Sequence, residues 1–349
     1  MKLGNIIFIA RFAAMVIILL LIDFEHLGII LRSLNVDFLL LAILLELAGF
    51  LVWTLKWKLI AGKLEKIKFT TLFLGLMSGN CMDTNVLRAR IFGGFGRAMF
   101  LKNITKEHEH GHGNWYATVV IDQTTNSFVF SILVIFSLLF IILFLHIPWW
   151  LSILLEAIAM ILLILSFFAY LSKKKIKKTT IVHFCYSTLK RIYELSLFKF
   201  IRNRYSYQKF EELVITGLTE FENTYRSILQ DKKILKRDIG LSVLMFALIY
   251  AKAYVIFQSV DYDIKIPDLI ISLTLTLWII SILPIPGGFG VKELILIGIY
   301  SMVGVPVTTA AIVSLIDRAI YMLFVIIIAY AATIIMRLFH IGERVRRDI

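Results

Sequence analysis

The chain has 349 residues, 59% of them hydrophobic and 17% charged, and a mean hydropathy of +0.86. That balance lies outside the composition of soluble domains and inside that of polytopic membrane proteins. A formal charge of +13 would suit a nucleic-acid binder, but the basic residues gather in the connections between apolar runs, the distribution that orients a chain in a bilayer, so no nucleic acid is expected.

The first apolar run, Ile6 to Ile22, is long enough to cross a hydrocarbon layer of roughly 30 Å. It carries Arg11 and no small-residue cleavage pattern follows it, so a retained helix is expected rather than a signal peptide. Asp23, Glu25, His26 and Arg32 read as a short loop of mixed sign. Val36 to Trp53 is the second span, and Lys56, Lys58, Lys63, Lys66 and Lys68 beside Trp53 and Trp57 read as its cytoplasmic border. Thr70 to Cys81 is too short to span and runs into a glycine-rich break, which predicts a hairpin that enters and leaves on one face.

Lys102 to Asn114 is polar and contains Glu107, His108, Glu109, His110 and His112. These residue types can ligate a transition metal, but adjacent residues seldom converge on one ion, so a solvated loop with no metal is expected, and its Gly111 should tolerate bulk. Cys81 and Cys185 offer neither a metal spacing nor a disulfide framework. Tyr116 to Leu145 reads as a long helix, polar in its first turns, and Leu151 to Leu171 as the returning span. Beyond the lysine run 173–178, Phe210, Leu213, Val214, Leu218, Phe221, Tyr225 and Ile228 recur at helical spacing among charges. Residues 173–237 are therefore a cytoplasmic, basic, amphipathic connection. Ile239 to Val260 is a span with Lys252 inside it, and Thr308 to Leu338 is the last.

The least lipid-compatible backbone is Leu283-Pro284-Ile285-Pro286-Gly287-Gly288-Phe289-Gly290-Val291-Lys292-Glu293. Its prolines should stop the incoming helix near Ile282. Irregular backbone at membrane depth must be buried in protein or line a wet cavity, which makes this break the first candidate for a site. Gly93-Gly94-Phe95-Gly96-Arg97 repeats its letters, and Asp122 follows Arg97 at the same separation of 25 residues at which Asp317 follows Lys292. Two related halves are expected, 36–145 and 238–338, each base lying near its acid with Glu293 and Arg318 beside the second pair. The expected fold is all-α: a single domain over 1–349 with about six full spans and two re-entrant hairpins, arranged as an inverted repeat.

Pro286-Gly287-Gly288-Phe289-Gly290-Val291-Lys292-Glu293 resembles the mark of the transmembrane domain family of lysylphosphatidylglycerol synthases, also called the flippase-like domain family. Weaker marks are Leu55-Lys56-Trp57-Lys58-Leu59, Gly93-Gly94 followed by Arg97-Ala98, and Arg318. The chain departs from the family at Asp122-Gln123-Thr124-Thr125-Asn126, where Glu-Arg and then Asp are usual. The resemblance implies kinship with translocators of aminoacylated phospholipid and with proteins associated with polyprenyl-linked sugars. No stretch is long and polar enough to stand for the soluble aminoacyl-transferase domain of the synthases.

Residues and resemblance together point to translocation of an anionic or zwitterionic phospholipid, or of a polyprenyl-phosphate-linked lipid. The expected substrate-binding set is Arg97, Asp122, Gln123, Pro286, Gly287, Gly288, Gly290, Lys292, Glu293, Asp317 and Arg318, with Gly93, Gly94, Gly96 and Pro284 shaping the hairpins. Neither a catalytic residue nor a cofactor is expected. Two other readings remain: an intramembrane transferase using a polyprenyl phosphate donor, with Asp122, Asp317 or Glu293 as base, and a passive scaffold. The expected location is the cell membrane, multi-pass, with both termini cytoplasmic; compatible protein partners are a second copy, as a homodimer, or another membrane enzyme.

Overall fold

The computed structural model describes residues 17–18, 23–85, 91–104, 111–144, 207–282 and 290–338, and every regular element among them is helical. In chain order these are α1 (Phe24–Arg32), α2 (Val36–Ala61), α3 (Phe69–Asn85), α4 (Ile91–Ile104), α5 (His112–Phe144), α6 (Tyr207–Gln230), α7 (Lys232–Ser259), α8 (Ile266–Ile282), α9 (Val291–Met302) and α10 (Val307–Leu338). Four are long and apolar enough to cross a membrane, over Val36–Ala61, Gly113–Ile142, Lys232–Ser259 and Val307–Val325. The other two expected spans, Ile6 to Ile22 and Leu151 to Leu171, lie essentially outside the described residues.

The order of lengths repeats. Over the described residues, helices α2 to α5 have 26, 17, 14 and 33 residues, and α7 to α10 have 28, 17, 12 and 32. The short helices are about 18–26 Å long at 1.5 Å per residue, less than the hydrocarbon layer. Each short helix packs on its successor, α3 on α4 and α8 on α9, and the first of each pair also lies against the long helix of the other half, α3 on α10 and α8 on α5. The most extensive helix contact joins α2 and α7. These two run antiparallel: the Asn35 N–H at the start of α2 donates to Ser259 O at the end of α7 (2.9 Å), and Lys56 lies level with Asp238 while Glu46 lies level with Lys252.

Among the described residues, two large apolar clusters and two small ones fill the bundle. Of the large pair, one centres on Trp57, Leu72, Leu76, Leu101 and Trp115, closed from the second half by Tyr321 and Phe324, whose rings meet Phe50 at 6.1 and 6.0 Å. The other centres on Phe257, Leu296, Tyr300 and Ala310, with Phe257 and Tyr300 edge to face at 5.0 Å. Phe128, Ile132, Phe136 and Leu139 on α5 and Leu40, Leu44, Leu51 and Leu55 on α2 stay exposed at three- and four-residue spacing, the stripe a lipid-facing helix presents.

Several sequence expectations change. The expected loop from Asp23 to Arg32 is α1: Asp23 caps it by accepting from the Glu25 N–H at 3.0 Å, and Ile30 is buried. The first glycine-rich stretch is not a break, since Gly93, Gly94 and Gly96 lie within α4. It lacks the prolines of the later stretch, and glycine alone costs a helix only about 1 kcal/mol per residue. Its glycines serve close packing: a Cβ on Gly94 would sit 3.2 Å from Gln123 Nε2 and 3.3 Å from Val119 Cγ1.

Helix α2 does not end at Trp53, so Lys56 lies within it and is wholly buried, away from any aqueous border. Gly111 is no open loop glycine, because a Cβ there would run into the Glu220 carboxylate of α6. Gly113 is equally occupied, against the backbone of Gly217 and Phe221, and so docks α6 on the first turn of α5. The described part of the amphipathic connection is helical over Tyr207–Gln230 as its spacing predicts, with Ile228 packed on Ile60 and Ile121.

Candidate functional site

Two groups of charged side chains sit inside the bundle, and each draws on both halves. In the first, Lys56 Nζ of α2 lies 3.0 Å from Asp122 Oδ1, donates to Asp122 O at 2.6 Å, and stands 3.8 Å from Asp238 Oδ1 of α7. Asp122 Oδ2 faces Arg97 Nη1 at 3.4 Å and accepts from Trp53 Nε1 at 3.0 Å. The Arg97 guanidinium stacks 5.0 Å over Trp53 and 5.9 Å from the Trp57 ring, while Trp57 Nε1 donates to Thr118 Oγ1 at 3.2 Å. Lys56, Asp122 and Asp238 are all wholly buried.

In the second, Lys252 Nζ of α7 bridges Asp317 Oδ1 at 2.6 Å and Glu46 Oε2 of α2 at 2.8 Å. Lys292 reaches Asp317 Oδ2 at 3.3 Å, and Arg318 Nε lies 3.4 Å from Glu293 Oε1 with its guanidinium 5.7 Å over Tyr321. This group is the more open: the Lys292 side chain is 23% exposed against 3% for Arg97.

Glu46 and Lys56 are ten residues apart on α2, Asp238 and Lys252 fourteen on α7. The two groups are therefore separated by about 15–21 Å along the helix axes, within the ~30 Å of a hydrocarbon layer. A charge at that depth is costly unless paired, so such groups face a wet cavity or hold one another. Here the first group holds two bases against two acids and the second three against three. The arrangement holds cations at two levels of the bundle, each beside acids.

Gly290 has φ +78°, the left-handed region that favours glycine, and opens α9, whose first turns present Lys292 and Glu293. Incoming α8 is described as far as Ile282, the residue near which the prolines should stop it. Pro284, Pro286, Gly287 and Gly288 lie outside the described residues, as do Glu107, His108, Glu109 and His110. Among the described residues no three His, Cys, Asp or Glu side chains are grouped as a metal would need. Gln123 is exposed on α5 against Gly94 and is not among the paired charges.

Sequence reasoning passed over Lys56, Glu46, Asp238 and Lys252 as site residues. A usable signal existed: Lys56 and Lys252 stand equally far, twenty residues, from the first residues of α2 and α7.

An all-helical bundle with several membrane-length apolar helices and charges sequestered inside it is an integral membrane protein. The chain belongs to the lysylphosphatidylglycerol synthase TM region family, whose model matches residues 7–329. Its relatives include a UPF0104 membrane protein of Methanothermobacter thermautotrophicus, 26% identical over 91% of this chain and 90% of the relative. Another, from Pyrococcus horikoshii, is 24% identical over 82% and 83%, and one from Methanocaldococcus jannaschii 23% over 96% and 95%. No solved structure matches the chain.

Proposed function

We propose that the protein moves a lipid with an anionic or zwitterionic headgroup, a phospholipid or a polyprenyl-phosphate-linked lipid, between the leaflets of the cell membrane. The observation that carries this reading is the pair of buried ionic groups at two depths in one bundle. A headgroup phosphate crossing the bilayer needs cations along its path while its tails stay in hydrocarbon, and Arg97 and Lys56 at one level and Lys292 and Lys252 at the other supply them. The two halves act as an inverted repeat in this reading; the matching helix lengths and the antiparallel crossing of α2 and α7 support it. The basic ends of α2 and α7 and both termini face the cytoplasm.

The test is purified protein in liposomes offered labelled phosphatidylglycerol, phosphatidylethanolamine and a polyprenyl phosphate in turn. Accelerated transbilayer movement of at least one is expected. Conversion to a new chemical product would replace this reading with a transferase, and no effect on any of them would favour a scaffold.

A further inference from the structure

We propose that Asp238 is a proton-binding site, and that its protonation admits an anionic headgroup to the group formed by Lys56, Arg97 and Asp122. The second clause rests on the translocator reading; the first does not.

Asp238 is wholly buried, and although Thr125 and Lys56 lie beside it, neither of its carboxylate oxygens has a well-formed hydrogen bond among the described residues. Its nearest cation, Lys56 Nζ, is 3.8 Å away, beyond hydrogen-bond distance, and is already engaged by the Asp122 carboxylate at 3.0 Å and the Asp122 carbonyl at 2.6 Å. The corresponding place in the second group is different: Lys252 closes on both of its acids, at 2.6 and 2.8 Å. An ionised carboxylate held so loosely away from water carries its desolvation cost uncompensated, and taking up a proton removes that cost.

The groups facing Asp238 are Lys56 from α2, and Asp122 and Thr125 from α5. Lys236 and Arg237 on its own helix are exposed. Asp238 lies in the second turn of α7, close to the basic end marked by Lys232 and Lys233, which gives a proton a short route from water.

The step is simple acid–base chemistry. One carboxylate oxygen of Asp238 gains a proton from the aqueous phase, an O–H bond forms, and no other bond changes. With Asp238 ionised, two bases face two acids and the group is neutral. With Asp238 protonated, Lys56 and Arg97 face Asp122 alone, and the group carries one net positive charge that a headgroup phosphate neutralises. Proton and anion are then bound together, so a proton gradient drives the lipid.

Two measurements on the full-length protein test this. The first is an infrared pH titration of the purified protein, wild type minus Asp238→Asn. A protonated-carboxyl band that titrates in the wild type and is absent from the variant supports the proton site; no such band overturns it. Asp238→Glu should keep the titration at a displaced frequency, so the assignment survives if Asp238→Asn folds poorly. The second is movement of labelled phosphatidylglycerol in proteoliposomes with and without an imposed proton gradient. A gradient-driven component that is lost in Asp238→Asn and kept in Asp238→Glu supports coupling. Wild-type movement that ignores the gradient overturns coupling and leaves the translocator reading intact. A titrating band with no lipid movement under any condition sinks that reading instead.

Discussion

Lys56 and Lys252 occupy the same place in two antiparallel helices, and each closes on the aspartate of its own half, Asp122 at 3.0 Å and Asp317 at 2.6 Å. Each also reaches across to an acid of the other half, Asp238 or Glu46. Removing one member of such a buried group strands the others, which typically costs about 3–5 kcal/mol. Lys252→Met should therefore lower the thermal stability of the purified protein by that order. Adding Glu46→Gln should recover part of the loss, because it removes one of the stranded acids. A double variant no more stable than the single would show that the pair does not act as a unit.

Lys292 is the exposed member of its group, and Lys252 holds Asp317 without it. Lys292→Gln should fold normally and lose one charge-assisted contact of about 1.5–3 kcal/mol to a bound phosphate, a fall of roughly 10–150-fold in lipid movement. Reconstituted transport checks the size. Exchanging the charges of Lys292 and Asp317 is a poorer test, because a lysine at 317 would face Lys252.

Gly290 adopts φ +78° and ψ −46°, a combination that costs a residue with a Cβ about 1–3 kcal/mol. Gly290→Leu should reduce stability by that amount and displace the start of α9. Gly298, exposed on the same helix with nothing near its missing Cβ, is the control, and Gly298→Leu should cost nothing and gain up to about 1 kcal/mol of helix propensity. Equal losses in the two would refute a backbone requirement at Gly290.

Asp231 caps α7 by accepting from the Ile234 N–H, and takes a 3.0 Å hydrogen bond from Lys63, which with that cap holds its carboxyl below the ordinary carboxylate range. A depressed carboxyl stabilises the fold above its unfolded-state value, and that stabilisation is lost as pH falls through the folded value. Asp231→Asn keeps a good cap but loses the ion pair, so wild type and variant should melt slightly apart at neutral pH and together in acid. Melting curves across pH decide it.

Helix α7 is long and apolar enough to span, with lysines at its first turn and Asp261 and Asp263 just past its end, so its lysine end is expected on the cytoplasmic side. An impermeant thiol reagent added outside intact cells should modify a cysteine at Asp263 and spare one at Lys233. The reverse pattern would invert the orientation.

Much of this was legible from residue order. Apolar run length reveals the long helices, and Pro284 and Pro286 mark where α8 stops, because both effects are local. The pairing of Arg97 with Asp122 and of Lys292 with Asp317 is expected from their equal spacing alone. What was hidden depends on the other half of the chain. Lys56 looks like one more lysine of a basic border until α2 continues past it, and Glu46 has no visible partner before α7 is laid antiparallel beside it. The glycines of α4 mislead for a related reason: whether glycine breaks a helix or lets one approach is decided by a neighbour such as Gln123, not by its own letters.

Because Asp238 and Glu46 each belong to the group centred on the other half, neither half satisfies its own buried lysine in the same way by itself. The covalent link between Phe144 and Tyr207 is thus not what commits the halves to one another. Made as two separate polypeptides divided there, they would each be left with a lysine short of one acid, and they should find each other in the membrane and rebuild the intact protein.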